Sequence, residues 1–297
     1  MTDEAEDKLF ILEGMPAVEE EDEFKKLVKE AELEESTLYL PRGYLSVSQV
    51  GMYMRCGLQY KYRYVDDVIK PPGVALVEGS AMHKALEVGL IEKMQAGTVT
   101  PVDVMLDAWQ DSWKQKKTEV EDWGDEGEQK VAETVENRGH TLIKMYHGTH
   151  LPERHPTGVE KRFWTMMGDT RTPVLGYIDL VDVETVDQIP GPTVVDHKVV
   201  RAAKSQADTD SDMQLTVYAQ AIGTPRVRFD SFCKTKKPQI KTTRSMRTTQ
   251  DYKWVAHVFD TVAQNISKGV FLPADPASWV CSRKFCGYYD SCRGKKR

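Results

Sequence analysis

Between Val174 and Val200 the chain places three charged side chains inside segments that are otherwise apolar and β-branched. Val174–Glu184 carries Asp179. After Pro190-Gly191-Pro192 the run Thr193–Val200 carries Asp196 and Lys198. Such a pattern predicts two strands joined as a β-hairpin, with a long loop turning at Pro190–Pro192. A carboxylate inside an apolar strand needs a partner, because burying it unpaired is costly. Residues two apart on a strand share a face, so Asp196 and Lys198 point one way and His197 the other. One divalent cation accounts for all three charges. Carboxylates from adjacent strands are hard oxygen ligands suited to Mg²⁺ or Mn²⁺, and an ammonium beside them can orient an attacking water.

The 297 residues are enough for one large domain or two modest ones. No apolar run approaches the roughly 20 residues that span a bilayer. The acidic N-terminus fits neither a signal peptide nor a transit peptide, and five cysteines without a secretory signal argue against a disulfide framework. A reducing cytoplasm is the expected location. The net charge of −6 is unevenly spread: residues 1–36 hold 14 acidic and 4 basic side chains, which leaves the rest of the chain at +4. Positive charge is densest over Arg201–Arg247 and in the tail Arg293–Arg297, as a polyanion-binding body would have it. Residues 1–40 are expected to form an acidic, mobile leader or solvated helix, and 41–297 the domain proper.

Along that domain, Ser46 or Ser48 can cap a helix running to about Tyr64. Gly79-Ser80 opens a second helix bearing His83. Residues 101–150 look helical, with Leu106, Trp109 and Trp113 at helical spacing. A strand is expected from Val159 to Met167. After the hairpin come a helix over Ser211–Ile222 with Gln214 and Tyr218, a strand over Val227–Lys234 and a helix over 249–267. His147, His150 and His155 lie among Gly148, Pro152 and Pro156 and read as a polar loop.

This order of elements, with Asp179 and Asp196-His197-Lys198 on the hairpin, resembles the PD-(D/E)xK nuclease superfamily. Asp179 stands for its first acid, after Ile178 rather than the often-cited proline, and Asp196 with Lys198 for the (D/E)xK pair. Three further matches are similar to the RecB-type branch: Gly79 to His83 as Gly-x-x-x-His, Gly176-Tyr-Ile-Asp179, and Gln214 to Tyr218 as Gln-x-x-x-Tyr. The resemblance implies a restriction-endonuclease-like α/β fold, a mixed central sheet flanked by helices. It implies a metal held by His83, Asp179 and Asp196. Lys198 would position the water, with Gln214 and Tyr218 orienting Lys198 or the DNA backbone. Glu160 lies where the family often places another acid.

Cys56 near the start and Cys281, Cys286 and Cys292 near the end resemble the iron–sulfur nucleases of the AddB and CRISPR-associated type, in which four thiolates hold a 4Fe–4S cluster. Such a clamp would restrict the unfolded chain by about 5 kcal/mol. Gly57 stands where the family has proline, and four residues separate Cys281 from Cys286 where it generally has two. Zinc is the alternative metal for these thiolates. Cys233 reads as a core residue.

The resemblance implies metal-dependent DNA cleavage, exonucleolytic on ends or single strands, in recombination, repair or replication. Alternatives are DNA-end trimming in CRISPR spacer acquisition and a non-catalytic DNA-binding subunit that keeps the fold. The chain has no phosphate-binding loop of the Gly-x-x-x-x-Gly-Lys type. It is therefore expected to act alone or beside a helicase or recombination protein, with single-stranded DNA or duplex ends as partner and no membrane.

Overall fold

A computed structural model describes residues 17–30 and 38–294. Most of the acidic leader, residues 1–16 and 31–37, and the tail Lys295–Arg297 lie outside the described residues. In chain order the elements are α1 (Glu21–Glu30), α2 (Val47–Arg55), the single turn α3 (Gly57–Tyr60), α4 (Val74–Ala96), α5 (Val102–Lys116) and α6 (Gly127–Thr149). The strands β1 (Pro156–Met167), β2 (Thr172–Val186) and β3 (Ile189–Val200) follow, then α7 (Gln206–Asp210), α8 (Met213–Ile222), β4 (Arg226–Cys233), β5 (Gln239–Met246), α9 (Thr249–Ser267) and α10 (Tyr289–Arg293). The five strands form one mixed sheet in the order β1-β2-β3-β4-β5. Among the described residues no helix is long and apolar enough to cross a membrane.

Several boundaries differ from the sequence reading for local reasons. The β2–β3 connection is a two-residue turn rather than a long loop. Val186 pairs with Ile189, and Asp187 and Gln188 both have positive φ, 50° and 65°, as a tight turn matched to strand twist requires. Pro190 and Pro192 lie within β3, before the stretch from Val194 that pairs with β4, so on that side their missing N–H groups cost no ladder bond. The helix expected to run from Ser46 to Tyr64 is capped by Ser46, which accepts the Gln49 N–H, but breaks at an extended Cys56. The helix bearing His83 starts at Val74, not Gly79. Residues 101–150 are helical as expected, in two helices, and the second reaches Thr149, so His147 is helical rather than in a loop.

The chain divides into two compact units. One comprises residues 71–161 and 177–248. Its core brings Met82 and Leu86 of α4, Trp109 and Trp113 of α5 and Leu142 and Tyr146 of α6 together with Leu180, Val195 and Phe232 of the sheet. Gly139 of α6 is a packing requirement, because a Cβ there would lie 2.5 Å from the Trp109 ring. β3 and β4 run parallel, so the chain must cross over between them, and α7 and α8 form that crossover. The other unit comprises residues 1–70, 162–176 and 249–297. In it Trp164 stacks on Phe24 of α1 and meets Tyr44 edge-on, while Val18 exchanges backbone hydrogen bonds with Trp164. α9 buries Tyr252, Val255, Phe259, Val262 and Ile266.

Beneath the sheet's apolar residues in the first unit lies a buried ion network. The Arg228 guanidinium is fully buried and reaches Glu184 at 2.6 Å, Asp182 at 3.1 Å and Asp230 at 3.1 Å. Arg154 reaches Asp182 at 3.1 Å. Burial alone would raise the Asp230 carboxyl, but Arg228 outweighs it and holds the group down at about 2. Removing the central cation by Arg228→Met should cost about 3–5 kcal/mol in urea unfolding, because it strands buried carboxylates. Asp230 has a depressed folded pKa. Its contribution is therefore present above its ordinary value of 3.8 and lost as pH falls toward about 2. A wild-type stability curve flat from pH 5 to pH 2 would contradict this.

Candidate active site

The site forms where the β2–β3 ladder stops. Its last pair is Leu180–Val195, and the next residues on the two strands are Asp179 and Asp196, 8% and 1% exposed. Beyond the ladder Asp179 takes over the backbone's role: its Oδ2 accepts the His197 N–H at 2.7 Å. A side chain thus satisfies a donor that the opening strands would otherwise leave unpaired.

His83 approaches from α4. Its Nε2 lies 3.0 Å from the His197 carbonyl oxygen. That acceptor fixes the proton on Nε2 and turns Nδ1 toward the acids, 3.4 Å from Asp179 and 3.7 Å from Glu160. One ligand atom each from His83, Glu160 and Asp179 lies within 4.8 Å of the others. Two carboxylates and an imidazole whose far nitrogen donates to a backbone carbonyl make a donor set that fits a divalent cation. Glu160 reaches the group by a departure from strand geometry: it has φ +46° in the middle of β1, a conformation costly for a residue with a side chain and typical of functional sites.

Asp196 stands beside this trio and is tied to the lysine. The Lys198 ammonium lies 2.8 Å from Asp196 and donates to Gln214 Oε1 at 2.9 Å. The Gln214 amide in turn donates to the Tyr218 hydroxyl at 2.8 Å. Gln214 and Tyr218 are four apart on α8 and so share a face. α8 itself is started by Asp212, whose side chain accepts the Leu215 N–H. All six residues expected for catalysis and metal binding therefore meet in one unit, and Glu160 joins them. In sequence Glu160 is one acid in a strand rich in charge, and its positive φ leaves no mark there.

The electrostatics follow from burial and proximity. For His83, burial disfavours the charged ring, yet Asp179 and Glu160 prevail and raise it to about 11. The same pairing overcomes burial at Asp179 and holds that carboxyl below its ordinary value. At Asp196 burial wins with help from Asp179, and the carboxyl rises to about 7 despite Lys198. Lys198 is raised, its own burial outweighed by Asp196. His197 points among Tyr146 and Phe232, and burial lowers it to about 4.

In the other unit Cys56, Cys281, Cys286 and Cys292 line a single cavity with Tyr62, Pro273 and Tyr288. Cys56 sits at the break between α2 and α3, and its sulfur accepts the Ala274 N–H at 3.3 Å. The glycine that follows has a packing reason: a Cβ at Gly57 would lie 2.8 Å from the Leu272 backbone. Cys233 is buried in β4, in the other unit, as expected of a core residue.

A family model described as the PD-(D/E)XK nuclease superfamily matches residues 44–293. No curated protein matches the chain. Among solved structures, a protein from Eubacterium rectale described as a candidate exonuclease is similar at 15% identity and a TM-score of 0.47, covering 89% of this chain and 95% of that one.

The backbone at Glu160 gives a test that does not depend on activity. Ala is ordinarily preferred to Gly within an element. At φ +46° the order should invert, with Glu160→Gly more stable than Glu160→Ala by about 1 kcal/mol in denaturant unfolding. An alanine variant as stable as the glycine variant, or more so, would show that this backbone is not strained.

Proposed function

The chain belongs to the PD-(D/E)XK nuclease superfamily, whose members use divalent metals, and on that footing we propose that it is a Mg²⁺- or Mn²⁺-dependent deoxyribonuclease acting on DNA ends or single strands. The observation that carries this reading is the donor group of His83, Glu160 and Asp179 beside the hydrogen-bonded chain Asp196–Lys198–Gln214–Tyr218. We read His83, Glu160 and Asp179 as the metal ligands, with Asp196 completing the set. When bound there, a divalent ion supplies an acidified water and neutralises charge developing on the phosphate.

The chain's own residues do the rest. Hydrolysis forms a bond from the water oxygen to phosphorus and breaks the bond to a sugar oxygen, which leaves with a proton. Lys198 is kept charged by Asp196 and is aimed by the Gln214 carbonyl oxygen. It therefore orients the water and screens the phosphate rather than serving as a base. Tyr218 fixes the Gln214 amide so that its oxygen, not its nitrogen, faces Lys198. The His197 carbonyl holds the His83 ring in one orientation. The family match spans residues of both units and supports reading 41–297 as one nuclease domain with the acidic leader outside it.

The four cysteines around one cavity support the second metal reading, a 4Fe–4S cluster tying the break after α2 to the segment around α10, with zinc as the alternative.

On end-labelled DNA, Asp179→Asn and Asp196→Asn should each lower the rate by about 10²–10³-fold or more with the fold intact. Lys198→Met should lose most activity yet keep Mn²⁺ binding, and His83→Ala should weaken Mn²⁺ binding at least about tenfold in calorimetric titration. Full cleavage by the Asp179→Asn protein would refute the site. Protein purified without oxygen should be brown, with about four irons per chain, and Cys56→Ser should bleach it. A colourless preparation holding one zinc would overturn the cluster.

A further inference from the structure

α4 and α5 enclose a recess of about 830 Å³ that opens onto His83, Glu160 and Lys198. Its lining includes Ser80 and Lys84 from α4 and Gln115 and Lys116 from α5. Lys116 stands out electrostatically. Its ammonium is partly buried and donates to the Ser80 hydroxyl at 2.8 Å. No carboxylate among the described residues pairs with it, whereas Lys84 is neutralised by Glu87 at 2.8 Å and Lys117 faces Glu136 at 3.8 Å. A cation drawn out of water and held by a neutral hydroxyl leaves its charge for an anion from outside. The acids that do line the recess are already engaged, as Glu87 and Glu160 are, or exposed, as Asp111 is.

We propose that this recess is a track for one nucleic-acid strand, in which Lys116, presented by Ser80, grips a backbone phosphate at a distance from the bond being cut. The assignment rests on the nuclease reading and deepens it, because it names the substrate as a polymer that must extend past the reacting phosphate. A recess of ligand-sized volume takes a few unpaired nucleotides, not a base-paired duplex. Lys116 is a positioning residue: it touches substrate backbone and leaves the chemistry to the metal-site group.

Lys116→Gln tests this, since the amide, one bond shorter than lysine, remains a polar donor but loses the charge, and the Lys116→Arg control restores the charge. Fluorescence anisotropy with a labelled 12-nucleotide DNA strand, in chelator so that nothing is cut, should show affinity about tenfold weaker. The slope of log K against log salt should flatten by about 0.7, the increment for one phosphate on a single strand. Lys116→Arg should restore both. With Mg²⁺ or Mn²⁺ present, KM should rise while kcat changes less than twofold. The same RNA strand shows whether the track distinguishes the two sugars. A blunt DNA duplex should show little change. Unchanged affinity and salt slope in Lys116→Gln would overturn the track, and a loss confined to duplex would overturn its assignment to a single strand. Wild-type protein that binds but never cuts would defeat the nuclease reading while leaving the anisotropy result to judge Lys116 separately.

Discussion

Two carboxylates on neighbouring strands, buried where their ladder ends, set the terms for everything around them. Asp179 and Asp196 cannot both stay charged in that place without compensation, and the surrounding elements supply it from different directions. α4 brings an imidazole to Asp179, and β3 itself brings an ammonium to Asp196. α8 then fixes the ammonium through an amide and a phenol. The placement of three separate elements is thus tied to one electrostatic problem.

The sequence reveals this problem because it requires charged residues in β-branched runs, and strand periodicity then says which of them share a face. The Gly79–His83 and Gln214–Tyr218 spacings place one further contact each on a helix. Harder to read are features that depend on backbone conformation rather than residue type. Glu160 looks like its charged neighbours in β1, and only its positive φ carries it to His83 and Asp179. Likewise Asp187-Gln188 lacks the glycine that would advertise a tight turn, while the conspicuous Pro190-Gly191-Pro192 proves to be strand. Gly79, which reads as a helix start, lies inside α4, at a place where a Cβ would meet nothing within 4 Å.

The buried Arg228 network shows a different limit. Arg228 and Asp230 lie on β4 and Asp182 and Glu184 on β2, with β3 between them, so they are linked only by register. In sequence each resembles an ordinary surface charge. Their cancellation in the interior becomes visible only once the strand order is known. The network also surrounds His197 with fixed charge on its far side, through Asp230 at 3.9 Å. The His197 backbone N–H and carbonyl meanwhile serve Asp179 and His83. Scaffold and site are therefore joined through a single residue.

The division of the chain has a consequence for biosynthesis. The unit that holds the candidate-site residues is complete once residue 248 has been made, whereas the other unit draws its last segment from residues 249–297. The ribosome delivers the chain in that order, so the site can be assembled while Cys56 is still waiting for Cys281, Cys286 and Cys292. During that interval α2 and α3 lack α9 and the cysteine-bearing segment. The residues of the candidate site are thus all made before the segment that completes the lining of the cysteine cavity.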